Sequence, residues 1–332
     1  MLDLAKRLAA PVPAAATAGA RRVLGHERVP SWTADLPGGG TRRQSSGSTS
    51  DADAVYFPSC TGALFGAARG GIGVGPALAA LCARAGLRPA VPSGADDLCC
   101  GTPWRSKGLP AGLKELRGRV LPRLWAASDG GRLPIVSDAT SCTEGLTQLV
   151  EESVSLDGRY AQLKVGDAVT FALQEMLPRL PAPRPLESLA LHPTCSSTRL
   201  GLDAELVQLA QSVARTVVVP TSWGCCGFAG DRGLLHPELT AAATHDEVSQ
   251  LAGTDPGASR LVQPHVRAGD DPGAVRSTGT WSSSSKNAPD PGTTTHHPLP
   301  SRPSARRRCA AEDLHTITRA KDPDESPGLR ST

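Results

Sequence analysis

The spacing of apolar residues changes twice along the chain. Residues 1–53 carry one short amphipathic helix, predicted at LDLAKRLA, and then an Ala-rich stretch. LPGGGTRRQSSGSTSDAD follows, and its Gly, Ser and Arg content cannot bury a core, so it reads as a flexible linker. From residue 54 to 252, short runs rich in Val, Ile and Leu alternate with helical periodicity, as in βα units built on a parallel sheet. Strands are predicted at AVYF (54–57), LRPAV (87–91), LPIVS (133–137), SLALH (188–192) and TVVVP (216–220). Leu78, Leu81, Cys82 and Ala85 share one helical face, and Leu202, Leu206, Leu209 and Val213 share another. Both faces are expected in the core. From residue 253 the chain turns rich in Pro, Ser, Thr and Arg and is expected to be disordered.

The cysteines fall at one kind of place on this pattern. Cys60 follows AVYFPS, Cys99 and Cys100 follow LRPAVPSGADDL, and Cys142 follows LPIVSDATS. Cys195 follows SLALHPT, and Cys225 with Cys226 follows TVVVPTSWG. Each lies after a predicted strand and before a predicted helix. In a parallel sheet the carboxyl ends of the strands share one edge, where ligand sites form near helix N-termini that favour thiolates. Seven cysteines are therefore expected on one rim.

The adjacent pairs narrow the chemistry. Neighbouring Cα atoms lie about 3.8 Å apart, whereas ordinary disulfides want about 4.4–6.8 Å, so Cys99–Cys100 makes a poor structural staple. Long stretches of chain separate the cysteine groups, unlike the tight ligand pairs of a zinc finger. A cluster assembled from several loops suits them better. The order also repeats: YFPSCTG, LCCGTPW and SDATSCTEG are echoed by LHPTCSS and GCCGFAG. The expected fold is therefore α/β, with duplicated parallel βα units forming two similar cysteine-rich lobes.

This duplicated series resembles the cysteine-rich CCG domain of heterodisulfide reductases and of anaerobic glycerol-3-phosphate dehydrogenases. FPSCTG, LCCGTPWRSKG, HPTCSSTRLG and WGCCGFAGDRGLLHPELT look still more like the carboxyl-terminal part of multidomain FAD-linked D-lactate dehydrogenases. The resemblance spans 54–252, with a first CCG repeat at 54–155 and a second, truncated one at 156–252. It implies an electron-transfer module whose cysteines hold an iron–sulfur cluster of the [4Fe–4S] type. The metal ligands it implies are Cys60, Cys99, Cys100, Cys142, Cys195, Cys225 and Cys226. It also implies FAD on a missing domain or on a flavoprotein subunit, because no flavin signature and no C-x-x-C-x-x-C run precede residue 54. The chain is then expected to be a fragment, with Met1 an internal start, inactive alone. Peripheral membrane association through a quinone-linked chain stays open. So do two other readings of the thiols, a structural zinc module and a dithiol redox protein.

Where the resemblance leads one to expect a closing C-x-x-C, the first copy has Cys142-Thr143-Glu144-Gly145. It keeps four thiolates, enough for a [4Fe–4S] cluster or a zinc ion. The second copy offers three. Its missing cysteine has a candidate origin: codons permitted for QPHVRAGDDP, read one base later, give N-R-T-C-E-L-G-M-T and a cysteine near Val266. The tail 253–332 is thus read as either a flexible extension or a frameshift.

Composition adds bounds. The 332 residues carry a net charge of +3 and are 39% hydrophobic, which suits a globular core and gives no reason to expect a nucleic-acid partner. The first residues lack the apolar core of a signal peptide, and no run nears about 18 apolar residues. A cytoplasmic location is expected, and nine cysteines there fit metal or redox ligands better than disulfides. Cys82 is expected to be a core side chain, and His192 a structural strand-end residue or a metal ligand. Trp104 and Trp223 are expected to shield the paired cysteines, and Arg105, Lys107 and Arg232 to offset thiolate charge or simply to be solvated.

Overall fold

The computed structural model describes residues 11–33, 36–45, 51–67 and 72–252. The helix predicted at 2–9, the tail 253–332, Cys309 and the frameshift candidate near Val266 lie outside the described residues. The fold is mixed α/β with parallel sheets. After α1 (Pro11–Leu24) come β1 (Ala54–Phe57), α2 (Cys60–Leu64), α3 (Val74–Arg84), β2 (Pro89–Ala90), α4 (Thr102–Ser106) and α5 (Pro110–Ala127). They are followed by β3 (Ile135–Ser137), α6 (Thr140–Val154), β4 (Val165–Asp167) and α7 (Ala168–Phe171). The remaining elements are β5 (Leu186–Ala190), α8 (Cys195–Leu200), α9 (Asp203–Val213), β6 (Ala214–Val218), α10 (Arg232–Leu235) and α11 (Pro237–Ala252).

One sheet has the order β2-β1-β3-β4 and the other is the pair β5-β6, all parallel. In the first sheet the chain steps from β1 outward to β2 and then crosses back to β3. The β1/β3 boundary is therefore a topological switch point, where such sheets open a crevice at their carboxyl edge.

β1 shows why the sheet is buried on both sides. Val55 and Phe57 point into a cluster with Leu98, Leu116, Val120, Leu124, Leu146 and Leu149 of the α5/α6 side. Tyr56 points the opposite way, to Leu78, Cys82, Met176 and Leu209. The alternation is the two-residue period of a strand, and each such apolar side chain contributes about 1.5–3 kcal/mol when removed from water. Cys82 is fully buried in that second cluster, as a small hydrophobe.

Several predicted strands shorten or shift. β2 keeps only Pro89 and Ala90, since an edge strand is where a residue without an N–H is tolerated. β5 and β6 begin and end two residues earlier than predicted, because Pro193 and Pro220 close their ladders. β4, Val-Gly-Asp, was not predicted. It is too short to show a period, and it is held by pairing with β3. The Gly-rich stretch read as linker is pinned over part of its length. Gly39 bridges to Phe65, and the Arg43 guanidinium donates to the carbonyls of Pro58, Leu98 and Asp96 at 3.3, 2.8 and 2.7 Å.

Candidate functional site

The first cysteine group gathers where the sheet opens. Cys60 begins α2 directly after β1, under a cap in which Ser59 Oγ accepts from the Gly62 N–H. Cys142 lies in the first turn of α6, directly after β3. Cys60 and Cys142 thus follow the two strands that border the switch point. Cys99 and Cys100 come from the loop after β2, which turns sharply at Gly101 with φ 91°. A Cβ there would stand 3.0 Å from Leu113 Cδ1, so backbone angle and packing both call for glycine. Asp138 ties the two strand ends together, accepting from Tyr56 Oη at 2.6 Å and from the Ser59 N–H at 2.7 Å.

The thiols of this group form a chain. Cys99 contacts Cys100, Cys100 contacts Cys142, and Cys60 feels the charge of Cys99. Burial and then Cys99 push the Cys60 thiol up, while Arg43 pulls it down. The hydrogen bond with Cys100, followed by burial, raises Cys99 further, again against Arg43. Cys100 is pushed up to about 12, first by its hydrogen bond with Cys142. Such thiols keep their protons until a cation replaces them. The Arg43 Nε–H is buried without a hydrogen-bond partner beside them.

The second group lies past β5 and β6. Cys195 begins α8 within a capping box in which Thr194 and Ser197 bond reciprocally. Cys225 and Cys226 precede Gly227, whose φ is 68° and whose added Cβ would meet the Leu239 carbonyl oxygen at 2.8 Å. Cys195 contacts Cys225, and burial, with Cys225, pushes its thiol up. Cys195 and Cys225 are exposed and Cys226 is half-buried, whereas Cys100 and Cys142 belong to the core.

His192 joins this second group. It is buried, and its Nδ1 lies 2.9 and 2.7 Å from the two carboxylate oxygens of Glu247, itself buried on α11. Its Nε2 is buried without a hydrogen-bond partner of good geometry, yet the Cys226 sulfur lies close enough for His192 and Cys226 each to shift the other. Burial opposes a charge on His192, but Cys226 and Glu247 outweigh it and raise its pKa to about 9. Burial likewise pushes Cys226 up, and the imidazole with the Phe228 N–H brings it below the usual thiol value.

Two contacts join the neighbourhoods of the groups. Glu144 on α6 accepts from Ser196 Oγ and Arg199 Nη2 on α8, each at 2.8 Å. Lys107, past the first cysteine pair, reaches Asp231, past the second, at 2.9 Å. Lys107 therefore neutralises a carboxylate, as Arg105 does with Glu152 at 2.6 Å. Trp104 lies against Gly112 of α5 and stays partly exposed. Sequence reasoning missed Arg43, which sat in a presumed linker, and Glu247, whose helix buries a face of Thr240, Thr244, Glu247 and Leu251. Only a search for helical spacing among polar residues would have found that face.

Among the described residues, no group of three or more His, Cys, Asp or Glu side chains stands in a geometry that holds a metal ion. The donor types suit a thiophilic metal; the sulfurs are gathered but not drawn into a cage. No helix among the described residues is long and apolar enough to cross a membrane. Compared with known families and with curated proteins, the chain matches no family model and no curated protein.

Proposed function

We propose that the chain is an iron–sulfur electron-transfer module of an FAD-linked D-2-hydroxyacid dehydrogenase of the D-lactate type. The flavin resides on another domain or on a partner chain. The observation that carries this reading is the grouping of Cys60, Cys99, Cys100 and Cys142 at the β1/β3 switch point, two of them in the core. Four thiolates at a ligand-binding edge are the donor set of a [4Fe–4S] cluster, and a bound cluster supplies one-electron chemistry. Arg43 supports the reading because its buried, unpartnered Nε–H is a donor that a sulfur-rich anion would satisfy.

The further reading of 54–252 as two related lobes draws on a shared local geometry. Cys60 and Cys195 each open a helix behind a hydroxyl cap, and each Cys-Cys pair runs into a left-handed glycine that tolerates no Cβ. The lobes differ in extent, with four strands in one sheet and two in the other.

Anaerobic purification followed by iron and sulfide analysis and an absorption spectrum tests the proposal. Broad charge-transfer absorption with iron and sulfide in equal amounts is the expected result. A colourless protein with stoichiometric zinc in the first group would make the module structural, and a metal-free protein cycling between dithiol and disulfide would make it a thiol redox protein.

A further inference from the structure

The second group has three cysteines and, beside them, a buried imidazole with one idle nitrogen. We propose that His192 Nε2 is the fourth ligand of that group, so that His192, Cys195, Cys225 and Cys226 form a Cys3His site for a tetrahedral divalent metal ion of the zinc class, oriented by Glu247. The inference rests on the second group being a ligand set; it does not depend on the first group holding iron and sulfide.

Three observations carry it. First, Nε2 is a buried polar atom without a hydrogen bond, a cost of about 1–3 kcal/mol unless something occupies its lone pair or takes its proton. The Cys226 sulfur lies near enough to the ring for the two groups to interact. Second, Glu247 brackets Nδ1 with both oxygens at 2.9 and 2.7 Å and is itself buried. A carboxylate on one ring nitrogen fixes its proton there and leaves the other nitrogen as donor, the arrangement that orients metal-bound histidines. Third, His192 and Cys195 have two residues between them across the α8 cap, the short spacing of one ligand pair in tetrahedral zinc sites, and Cys225 with Cys226 before Gly227 supplies two further sulfurs.

The bland alternative is a buried ion pair that merely fastens α11 to β5. It accounts for Nδ1 and Glu247 but not for the Cys226 sulfur beside the ring or for Cys195 and Cys225 grouped with that sulfur. The side chains do not yet lie at ligating positions. The loop carrying Cys225 and Cys226 has no helix or strand to hold it back, so metal binding can draw its sulfurs inward.

The test uses the full chain, titrated anaerobically with Co2+ as a spectroscopic probe, together with zinc-edge X-ray absorption of the Zn2+-loaded protein. Three sulfurs and one nitrogen around zinc are expected. His192→Cys should keep the stoichiometry and shift the cobalt bands towards those of a four-sulfur site. Glu247→Gln should weaken uptake by about 10–100-fold, as losing an orienting carboxylate does. His192→Gln, checked for folding by circular dichroism, should lose the nitrogen-ligated bands. A four-sulfur shell in the wild type overturns the proposal, and so does a folded His192→Gln variant with unchanged cobalt affinity. So does free alkylation of Cys195, Cys225 and Cys226 in the presence of excess Zn2+. Iron and sulfide content, read on the first group, reports separately on the electron-transfer reading.

Discussion

The Glu144 carboxylate accepts hydrogen bonds from Arg199 Nη2 and from Ser196 Oγ, both at 2.8 Å, and so joins the helix that carries Cys142 to the helix that begins with Cys195. The hydrogen bond from Arg199 holds its carboxyl below the usual carboxylate value; burial opposes this, and Ser196 adds a smaller lowering. A lowered folded-state pKa means that the contact stabilises above the usual value and that this contribution is lost as pH falls through the folded one. Glu144→Gln should therefore cost about 1 kcal/mol at neutral pH, a modest figure because Arg199 is largely exposed. Below the folded-state pKa of Glu144 the variant and the wild type should converge. Denaturant unfolding at neutral and acid pH measures both; an equal gap at the two pH values would reject the linkage.

Gly101 and Gly227 should not tolerate a methyl group. Each combines a left-handed φ, which costs about 1–2 kcal/mol for an L-residue, with an obstructed Cβ. Gly227→Ala should be the more damaging of the two, because its Cβ meets a backbone carbonyl at 2.8 Å, whereas that of Gly101 meets the mobile end of Leu113 at 3.0 Å. Gly86→Ala is the control: φ is 71° with nothing within 4 Å of the Cβ, so only the conformational cost remains. Thermal unfolding of the three variants should rank them in that order.

Arg43 lowers the pKa of both Cys60 and Cys99. In Arg43→Gln those thiols should hold their protons more firmly, and alkylation of Cys60 by iodoacetamide at a fixed pH should slow several-fold, since only the thiolate reacts. Cys195 is governed instead by burial, by Cys225 and Cys226, and by Arg199, and should react at the wild-type rate. Equal slowing at both positions would point to a general loss of structure.

Cys82→Ala should leave metal content unchanged and lower stability by about 1–2 kcal/mol through the small cavity it opens in a filled core. Cys100→Ala and Cys142→Ala should lower both, because these side chains serve the core and the proposed cluster at once. Metal analysis beside calorimetry separates the two kinds of effect.

The purified chain should not oxidise D-lactate with a dye acceptor, because a flavin performs that hydride chemistry. Turnover without an added flavoprotein would be incompatible with the proposed division of labour.

The parallel strands were legible because burial on both faces writes them as continuous apolar runs, AVYF most plainly. β4 was hidden, since Val-Gly-Asp carries no such run and depends on β3 for its hydrogen bonds. The positions of the seven cysteines behind strands, and their division into four and three, could be read from order and from the repeated motifs, but the single rim expected for them could not hold, because the strands they follow belong to two sheets. His192 was noticed as a strand-end residue, but its meaning depended on Glu247, far along the chain, on a helix whose buried stripe is largely polar. Arg43 was obscured by its neighbours, whose composition said linker while its guanidinium alone secured three carbonyls.

The unequal burial of the two cysteine groups sets an order of events. Cys100 and Cys142 are walled in by Leu98, Leu113, Leu146 and Leu149, so whatever binds them must arrive before those leucines close, during biosynthesis or on a chain held open by an assembly factor. Cys195 and Cys225 face solvent in the finished fold, so a metal ion held there as proposed would exchange more readily. One protein would then carry a permanent inclusion and an exchangeable one, and a chelator added after folding would strip only the second.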